Sequence, residues 1–284
     1  MTDLHALTTR LEDAEQLDPL SDRMTTVVGS VVKAGPLKDF LSGTWLGHAL
    51  HPALTDVPLA AGLSATLLDV FGGEESAPAV EKLLALNLLA SVPTIAAGWS
   101  DWSDSGDEEK RVGVVHAGVN VAAIILYGAS LGARRRGRKG LGIALGVVGT
   151  GIASVGGYLG GHLVLAQGVG VDNTVFEGGF TEWAAVMKES DVTEGKPALA
   201  SHEGLDLVVL KRGQEVWALS NRCTHRSGPL NEGELDGTCI VCPWHGSTFE
   251  MSDGTVKRGP ATIPQPAFEA RLRDGKVEVR SAQS

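Results

Sequence analysis

Four residues in two short motifs carry most of the chemistry this sequence can do. They are Cys223-Thr-His225 and, after sixteen intervening residues, Cys242-Pro-Trp-His245. Each motif offers one thiolate and one imidazole. A binuclear iron–sulfur cluster needs two protein ligands per iron, and sorting both sulfurs to one iron and both nitrogens to the other meets that need. Two loops, each projecting a Cys and a His a residue or two apart, can clamp a flat Fe2S2 rhomb from both sides. A Cys2His2 zinc site more often takes two cysteines from one turn and two histidines from a helix. Here Cys and His alternate, the flanks read as strand and turn, and no helix follows. Unliganded loop residues would need all four side chains to coincide by chance. The pattern favours a [2Fe–2S] cluster with Cys223, His225, Cys242 and His245 as its ligands.

The third cysteine, Cys239, lies three residues before Cys242 and looks like half of a C-x-x-C site. Its strand context favours a buried reduced thiol. With the other two taken as ligands it has no partner, so no disulfide framework is expected, and cysteine usage leaves the redox compartment open.

The elements that must position these loops are strands. Beyond Val169 the pattern has a period of two, in Leu207-Val208-Val209-Leu210, Val216-Trp217-Ala218-Leu219, Cys239-Ile240-Val241-Cys242 and Val277-Glu278-Val279. Turns at Arg212-Gly213, Asp236-Gly237, Asp253-Gly254 and Asp274-Gly275 separate them. An all-β domain is expected over residues 171–284.

Residues 1–170 have a different character. The chain carries a formal charge of −10, which disfavours a nucleic-acid partner. Its mean hydropathy is nonetheless slightly positive, so apolar and charged stretches must be segregated. Spanning candidates of roughly the ~20 residues that cross the hydrocarbon are Pro52–Phe71, Val80–Gly98, Val112–Leu131 and Leu141–Val169. Asp56, Pro58 and Asp69 interrupt the first, and Asn87 and Pro93 lie in the second. In the fourth, Gly142/Gly146, Gly156/Gly160 and Gly157/Gly161 have the four-residue spacing that lets helices approach closely in lipid. Buried helices of a large soluble protein are the competing reading, but four in succession without alternating strands disfavour it. The fold class expected is therefore multidomain, an all-α four-helix transmembrane bundle followed by an all-β domain. Residues 1–43 read as a polar, partly amphipathic lead-in, and its stretch from Met1 to Leu20, acidic and without a basic segment before an apolar core, does not read as a secretory signal. Its Val27, Val28, Val31 and Val32 are suited to the membrane surface or to packing on the bundle.

Four histidines belong to the membrane half: His48, His51, His116 and His162. Antiparallel helices joined by short loops put them, with Asp101, at one end. A bis-imidazole haem b, a quinone pocket, or a structural network with Asp56, Asp101 or Asn120 would each use such residues. For a cofactor, His116 and His162 are the expected opposed pair, because both lie within helices.

Asn221 to Phe249, with Gly254 to Ala261, resembles the Rieske ferredoxin-like family, whose signature is C-x-H…C-x-x-H-G-S. The resemblance implies that Cys223 and Cys242 bind the inner iron, and His225 and His245 the solvent-side iron. It further implies that Gly228-Pro229-Leu230 forms a lip beside the first loop. Gly259-Pro260-Ala261 would be the proline loop over the cluster, with Ser247 able to donate to a bridging sulfide. High-potential members join the two loops by an extra disulfide and place a tyrosine hydroxyl near a cysteine ligand. Here Ser227 or Gly228 and Trp244 replace those cysteines, and Phe249 replaces the tyrosine, which implies a low potential. The first 170 residues are similar to a family of bacterial four-helix membrane domains. That likeness rests on Gly47-His-Ala-Leu-His-Pro-Ala-Leu-Thr-Asp-Val-Pro58, Gly98-Trp-Ser-Asp101, His116-Ala-Gly-Val-Asn120 and Gly156-Gly-Tyr-Leu-Gly-Gly-His162. It implies a bacterial membrane location and no particular chemistry.

The function expected is single-electron relay between the cluster and a membrane (quinone) pool or a redox partner protein, from a chain anchored in the bilayer. A redox or iron sensor, or an electron-donating component of an oxygenase or reductase system, is the alternative. A complete Rieske oxygenase is not expected, since only 39 residues follow His245 and none is a histidine. Arg134, Arg135, Arg136, Arg138 and Lys139 crowd one loop, and the positive-inside tendency would send the β domain outside the cytoplasm. Lys33, Lys38, Lys110 and Arg111 pull the other way. Oligomeric state is not legible.

Overall fold

The computed structural model describes residues 3–281. It divides into two compact units, one of Met1–Val32 with Leu50–Val169 and one of Lys33–Ala49 with Gly170–Ser284. Residues 33–49, which sequence reading leaves within the domain of residues 1–170, thus group with the β unit.

The first unit is helical. Its lead-in forms α1 (Asp3–Glu12) and α2 (Asp18–Val31). The four long helices are α4 (Leu50–Phe71), α5 (Ala77–Ser103), α6 (Asp107–Arg135) and α7 (Lys139–Leu165). The intervening α3 (Pro36–Ser42) belongs to the other unit. Among the described residues, α4, α5 with the turn before it, α6 and α7 are long and apolar enough to cross a membrane. The last helix ends at Leu165, short of the expected Val169, and residues 166–169 turn back onto its final carbonyls.

Several polar groups within the bundle are bonded to backbone or side chains of neighbouring helices, although Asn87 Oδ1 is buried without a partner among the described residues. Pro58 has no N–H for the Leu54 carbonyl, and Thr94 of α5 donates to that carbonyl at 3.3 Å. Asn87 donates to the Pro58 carbonyl at 2.7 Å. Tyr127 and Thr66 meet on Thr150, at 2.9 Å and 2.6 Å, tying α6 and α4 to α7.

Two expectations need correction here. Arg134 is not a loop cation: it closes α6, its side chain is 4% exposed, and it pairs with Asp69, itself 5% exposed. Burial selects that pairing, because an isolated charge in this setting would cost several kcal/mol. Arg134 therefore drops out of the charge asymmetry used to orient the chain, and Arg111 is bound to Asp18 at 2.6 Å. The glycine pairs of α7 also differ among themselves. A Cβ on Gly142 would lie 3.1 Å from the Ser130 carbonyl, a true close approach of helices, whereas Gly157 and Gly161 face open space. Among the lead-in valines, Val28 is buried while Val27 and Val31 are exposed.

The second unit is built on strands. A six-stranded antiparallel sheet has the order β1-β10-β9-β4-β3-β2, from β1 (Ala184–Lys188), β2 (Ala198–His202), β3 (Leu205–Arg212), β4 (Glu215–Ser220), β9 (Ala267–Arg273) and β10 (Lys276–Ser281). Its outer strands β1 and β2 approach one another, so the sheet curls like a barrel. A smaller sheet runs β5-β6-β7-β8, from β5 (Glu234–Asp236), β6 (Cys239–Val241), β7 (Thr248–Glu250) and β8 (Val256–Arg258). The central run Leu207–Leu210 is apolar on both faces because each face meets a core. Leu207 and Val209 face one buried cluster, and Val208 and Leu210 the other.

Candidate metal centre

The two sheets present one loop each. The loop after β4 carries Cys223 and His225, and the loop between β6 and β7 carries Cys242 and His245. Their backbones are built alike. The Cys223 N–H donates to the Gly228 carbonyl at 3.0 Å, and the Cys242 N–H to the Ser247 carbonyl at 2.8 Å. The return bonds run from the Ser227 N–H to the Cys223 carbonyl and from the Gly246 N–H to the Cys242 carbonyl, at 2.8 and 3.0 Å. Both turns need a left-handed residue at the same place, Ser227 (φ 61°) in one and Gly246 (φ 76°) in the other. Glycine adopts that conformation freely. Ser227 is held in it by a hydrogen bond from its hydroxyl to Asn173 at 3.1 Å.

The cysteines are the inner pair, at 1% and 3% exposure, against an apolar cluster containing Leu230, Ile240, Phe249 and Met251. Each sulfur accepts two backbone N–H groups, from His225 and Arg226 at Cys223 and from Trp244 and His245 at Cys242. The Cys223 S–H donates to Cys242, which, with those amides, lowers the Cys242 thiol to about 7 against the opposing effect of burial. Cys223 is pushed up, first by that donated bond and then by burial. Metal binding must displace whatever protons the two thiols still carry.

The imidazoles form the outer pair, with ring centroids 5.2 Å apart and planes at 87°. Burial, then the like charges of His245, Arg226 and Lys38, hold the His225 imidazole well below its usual range and so neutral, the form that ligates metal. Among the described residues, no three Cys, His, Asp or Glu side chains converge tightly enough for a single ion. Two sulfurs inside and two nitrogens outside fit a group with two metal atoms, one for each pair.

The surroundings follow the sequence reading in part. Leu230 is fully buried beside both cysteines. The Ser247 hydroxyl, also fully buried, accepts the Ala261 N–H at 3.0 Å, which fixes the loop carrying Pro260 and leaves its own proton to donate elsewhere. Gly228 and Trp244 are in contact across the two loops: a Cβ on Gly228 would lie 3.2 Å from the indole and 2.7 Å from the Cys242 sulfur. An exposed tryptophan over a glycine thus stands where a disulfide would join the loops. Cys239 departs from expectation. It is half-buried rather than buried, because it faces Glu250 across the sheet with its sulfur 3.6 Å from the carboxylate.

Two supports were not legible in the sequence. Gln265 is 1% exposed; it donates to the Ser220 and Arg222 carbonyls at 2.9 and 2.6 Å and accepts the Thr224 N–H at 3.1 Å. Asn173 donates to the Thr224 and His225 carbonyls at 3.2 and 2.8 Å. Both lie far in sequence from the loop they brace, and no local spacing marks them.

The histidines expected on the bundle do not share one site. His48 falls in the β unit, its Nδ1 donating to the Ala49 carbonyl at 3.0 Å. His51 donates through Nδ1 to the Thr94 carbonyl, and His116 to the Gly156 carbonyl, both at 2.9 Å. Their rings approach to 6.4 Å, seated against Gly98 and Gly160, where Cβ atoms would lie 2.8 and 3.0 Å away. Asn120 lies 3.3 Å from both ring nitrogens of His116. His162, the expected partner of His116, instead meets the Glu12 carboxylate at 2.7 Å. The pair brought together is His51 and His116, because helix packing rather than helix membership decides which rings meet.

Comparison with known proteins agrees with this geometry. The Rieske [2Fe-2S] domain matches residues 182–269. Ferredoxin CarAc of Metapseudomonas resinovorans is 35% identical over 34% of this chain and 92% of its own length. The chain belongs to the Rieske [2Fe–2S] domain family. The ferredoxin subunit of anthranilate 1,2-dioxygenase from Burkholderia cepacia is 30% identical over 36% of this chain and 95% of its own length. Among solved structures, a complex of reduced oxygenase and oxidized ferredoxin in carbazole 1,9a-dioxygenase aligns with 36% of this chain, at 32% identity and a TM-score of 0.34. Residues 47–173 match a family described as a predicted membrane protein (DUF2231). This is a Rieske domain, with the [2Fe–2S] cofactor that implies, joined to a membrane-protein domain. These two relatives are ferredoxins, which implies electron transfer.

Proposed function

We propose that this chain is a membrane-anchored electron carrier. Cys223 and Cys242 hold one iron of the cluster and His225 and His245 the other, in a domain over residues 171–284. A domain over residues 1–170 supplies the anchor. The observation that carries this reading is the pair of matched ligand loops, with buried sulfurs inside and the imidazoles of His225 and His245 outside. When bound, a [2Fe–2S] cluster takes up and releases one electron at a time. The chain's part is to exclude water from the sulfurs, direct amide dipoles at them, and leave the imidazole edge for a partner to approach. The half-buried His225 and His245 and the 57% exposed Trp244 mark that edge. The relatives' names support a redox partner protein of the oxygenase or reductase kind. The four apolar helices support an anchor in the bacterial cell membrane.

The bundle histidines are proposed as structural. Each Nδ1 of His51 and His116 is already bonded to a helix carbonyl of a neighbouring helix, and His162 is bonded to Glu12. Haem-replete membranes should accordingly show no haem stoichiometric with the chain by pyridine haemochrome assay. For the cluster, the test is EPR of the dithionite-reduced, detergent-solubilised protein with iron and zinc analysis. The wild type should show two irons and a Rieske signal, and His225→Ala or Cys242→Ser should abolish the signal. A signal surviving either change, or zinc in place of iron, refutes the assignment.

A further inference from the structure

Residues 33–46 lie outside both family matches, yet they belong to the β unit and reach the loop that carries Pro260. Pro36 starts α3, and Gly43 (φ 84°) ends it in the left-handed conformation that glycine takes without strain. A single 3-10 turn, Thr44–Leu46, follows. This strap is hydrogen-bonded on both sides of Pro260. The Asp39 carboxylate accepts the Gly259 N–H at 3.0 Å, and the Thr44 hydroxyl donates to the Ala261 carbonyl at 3.1 Å. The backbone of Gly259 is not left-handed, so its conformation alone would admit a side chain. The strap excludes one, since a Cβ there would collide with Thr44 Oγ1 and lie 3.0 Å from Asp39 Oδ1. Ala261 is bonded through both of its backbone groups, its carbonyl to Thr44 and its N–H to Ser247 Oγ at 3.0 Å. Ala261 and Ser247 are 1% and 0% exposed, so water does not compete for these bonds.

We propose that the strap Lys33–Ala49 is a third element of the cluster site, in which Asp39 and Thr44 are positioning residues that fix Gly259–Ala261 and, through the Ala261 N–H, aim the Ser247 hydroxyl at the cluster. The proposal rests on the cluster assignment above. A serine side chain has three staggered positions. The bond from Ala261 selects one of them and leaves the hydroxyl proton for a sulfur. A hydrogen bond donated to the cluster sulfurs favours the reduced form, so the strap holds the midpoint up. The same two bonds hold the loop closed. Losing one, at the usual net worth of a hydrogen bond, raises the population with the loop open about fivefold.

The test combines an EPR-monitored redox titration with the rate of cluster loss to excess iron chelator, both on the full-length, detergent-solubilised protein. Thr44→Val keeps the shape of the side chain and removes its donor. It should speed cluster loss about fivefold and lower the midpoint. Thr44→Ser, which keeps the hydroxyl, should restore both. Asp39→Ala should speed the loss to a similar extent, and Asp39→Asn, which still accepts from Gly259, should restore it. In a Ser247→Ala background, Thr44→Val should leave the midpoint where Ser247→Ala alone puts it, because the donor that the strap orients is gone. A wild-type midpoint in Thr44→Val overturns the proposal whatever the rate of loss, and so does the same shift with and without the Ser247 hydroxyl. If Ser247→Ala fails to load a cluster, Gly259→Ala replaces it. Its added carbon displaces the strap from the other side and should act as Thr44→Val does, and wild-type behaviour there overturns the proposal equally. A wild type lacking the Rieske signal would instead overturn the cluster assignment, which keeps the two failures distinct.

Discussion

Gln265→Leu gives the most demanding test of how the first ligand loop is held. The side chain is 1% exposed and bonds three backbone groups, Ser220 O at 2.9 Å, Arg222 O at 2.6 Å and Thr224 N at 3.1 Å. Leucine keeps most of the volume and removes every bond. At about 1 kcal/mol for each lost hydrogen bond, the loss is about 3 kcal/mol. Water cannot easily replace those bonds, so the three stranded backbone groups push the cost up rather than down. The effect should concentrate on cluster retention, because Thr224 lies between Cys223 and His225. Guanidinium titration followed by the visible absorbance of the cluster, beside β-sheet circular dichroism, measures both. Cluster bleaching should shift with the sheet or ahead of it. Gln265→Glu should fall between, since it keeps the acceptor for Thr224 and loses both donors. A Gln265→Leu protein within about 0.5 kcal/mol of wild type, the range of an innocuous surface change, would refute the bracing role.

Further outcomes follow from the cluster's surroundings and from the bundle. The wild-type midpoint should lie toward the lower end of roughly −150 to +300 mV. Phe249→Tyr should raise it in a titration, by adding a donor beside the two buried cysteines; no rise in a protein that still loads its cluster would refute this. In the bundle, Asp69→Asn should destabilise the solubilised protein by about 3–5 kcal/mol, because it leaves the Arg134 guanidinium buried without its counter-charge. The double change Asp69→Leu with Arg134→Met should recover most of that loss in thermal unfolding, and equal stability of single and double variants would show that the pair is not coupled.

The metal centre was legible because its chemistry is local. Cys and His spaced two and three apart on strand-flanked turns show ligand type and loop shape together, and the glycines beside them show where the backbone must turn. The four long apolar helices were legible for a similar reason, since length and apolarity are sums over contiguous residues. What escaped were relations between distant residues. Nothing near Gln265 or Asn173 announces that its amide will brace a loop some 40–50 residues away. Arg134 reads as one more cation in a basic turn until helix packing buries it on Asp69. His162 reads as the partner of His116 until Glu12, 150 residues earlier, takes it. The strap at Lys33–Ala49 reads as a linker because it is short and of mixed polarity, yet Asp39 and Thr44 reach residues more than two hundred positions away. Sequence determines which groups are available and what each can bind. Only packing decides which of them meet, because a buried polar group must find a partner and the fold determines which one lies within 3 Å.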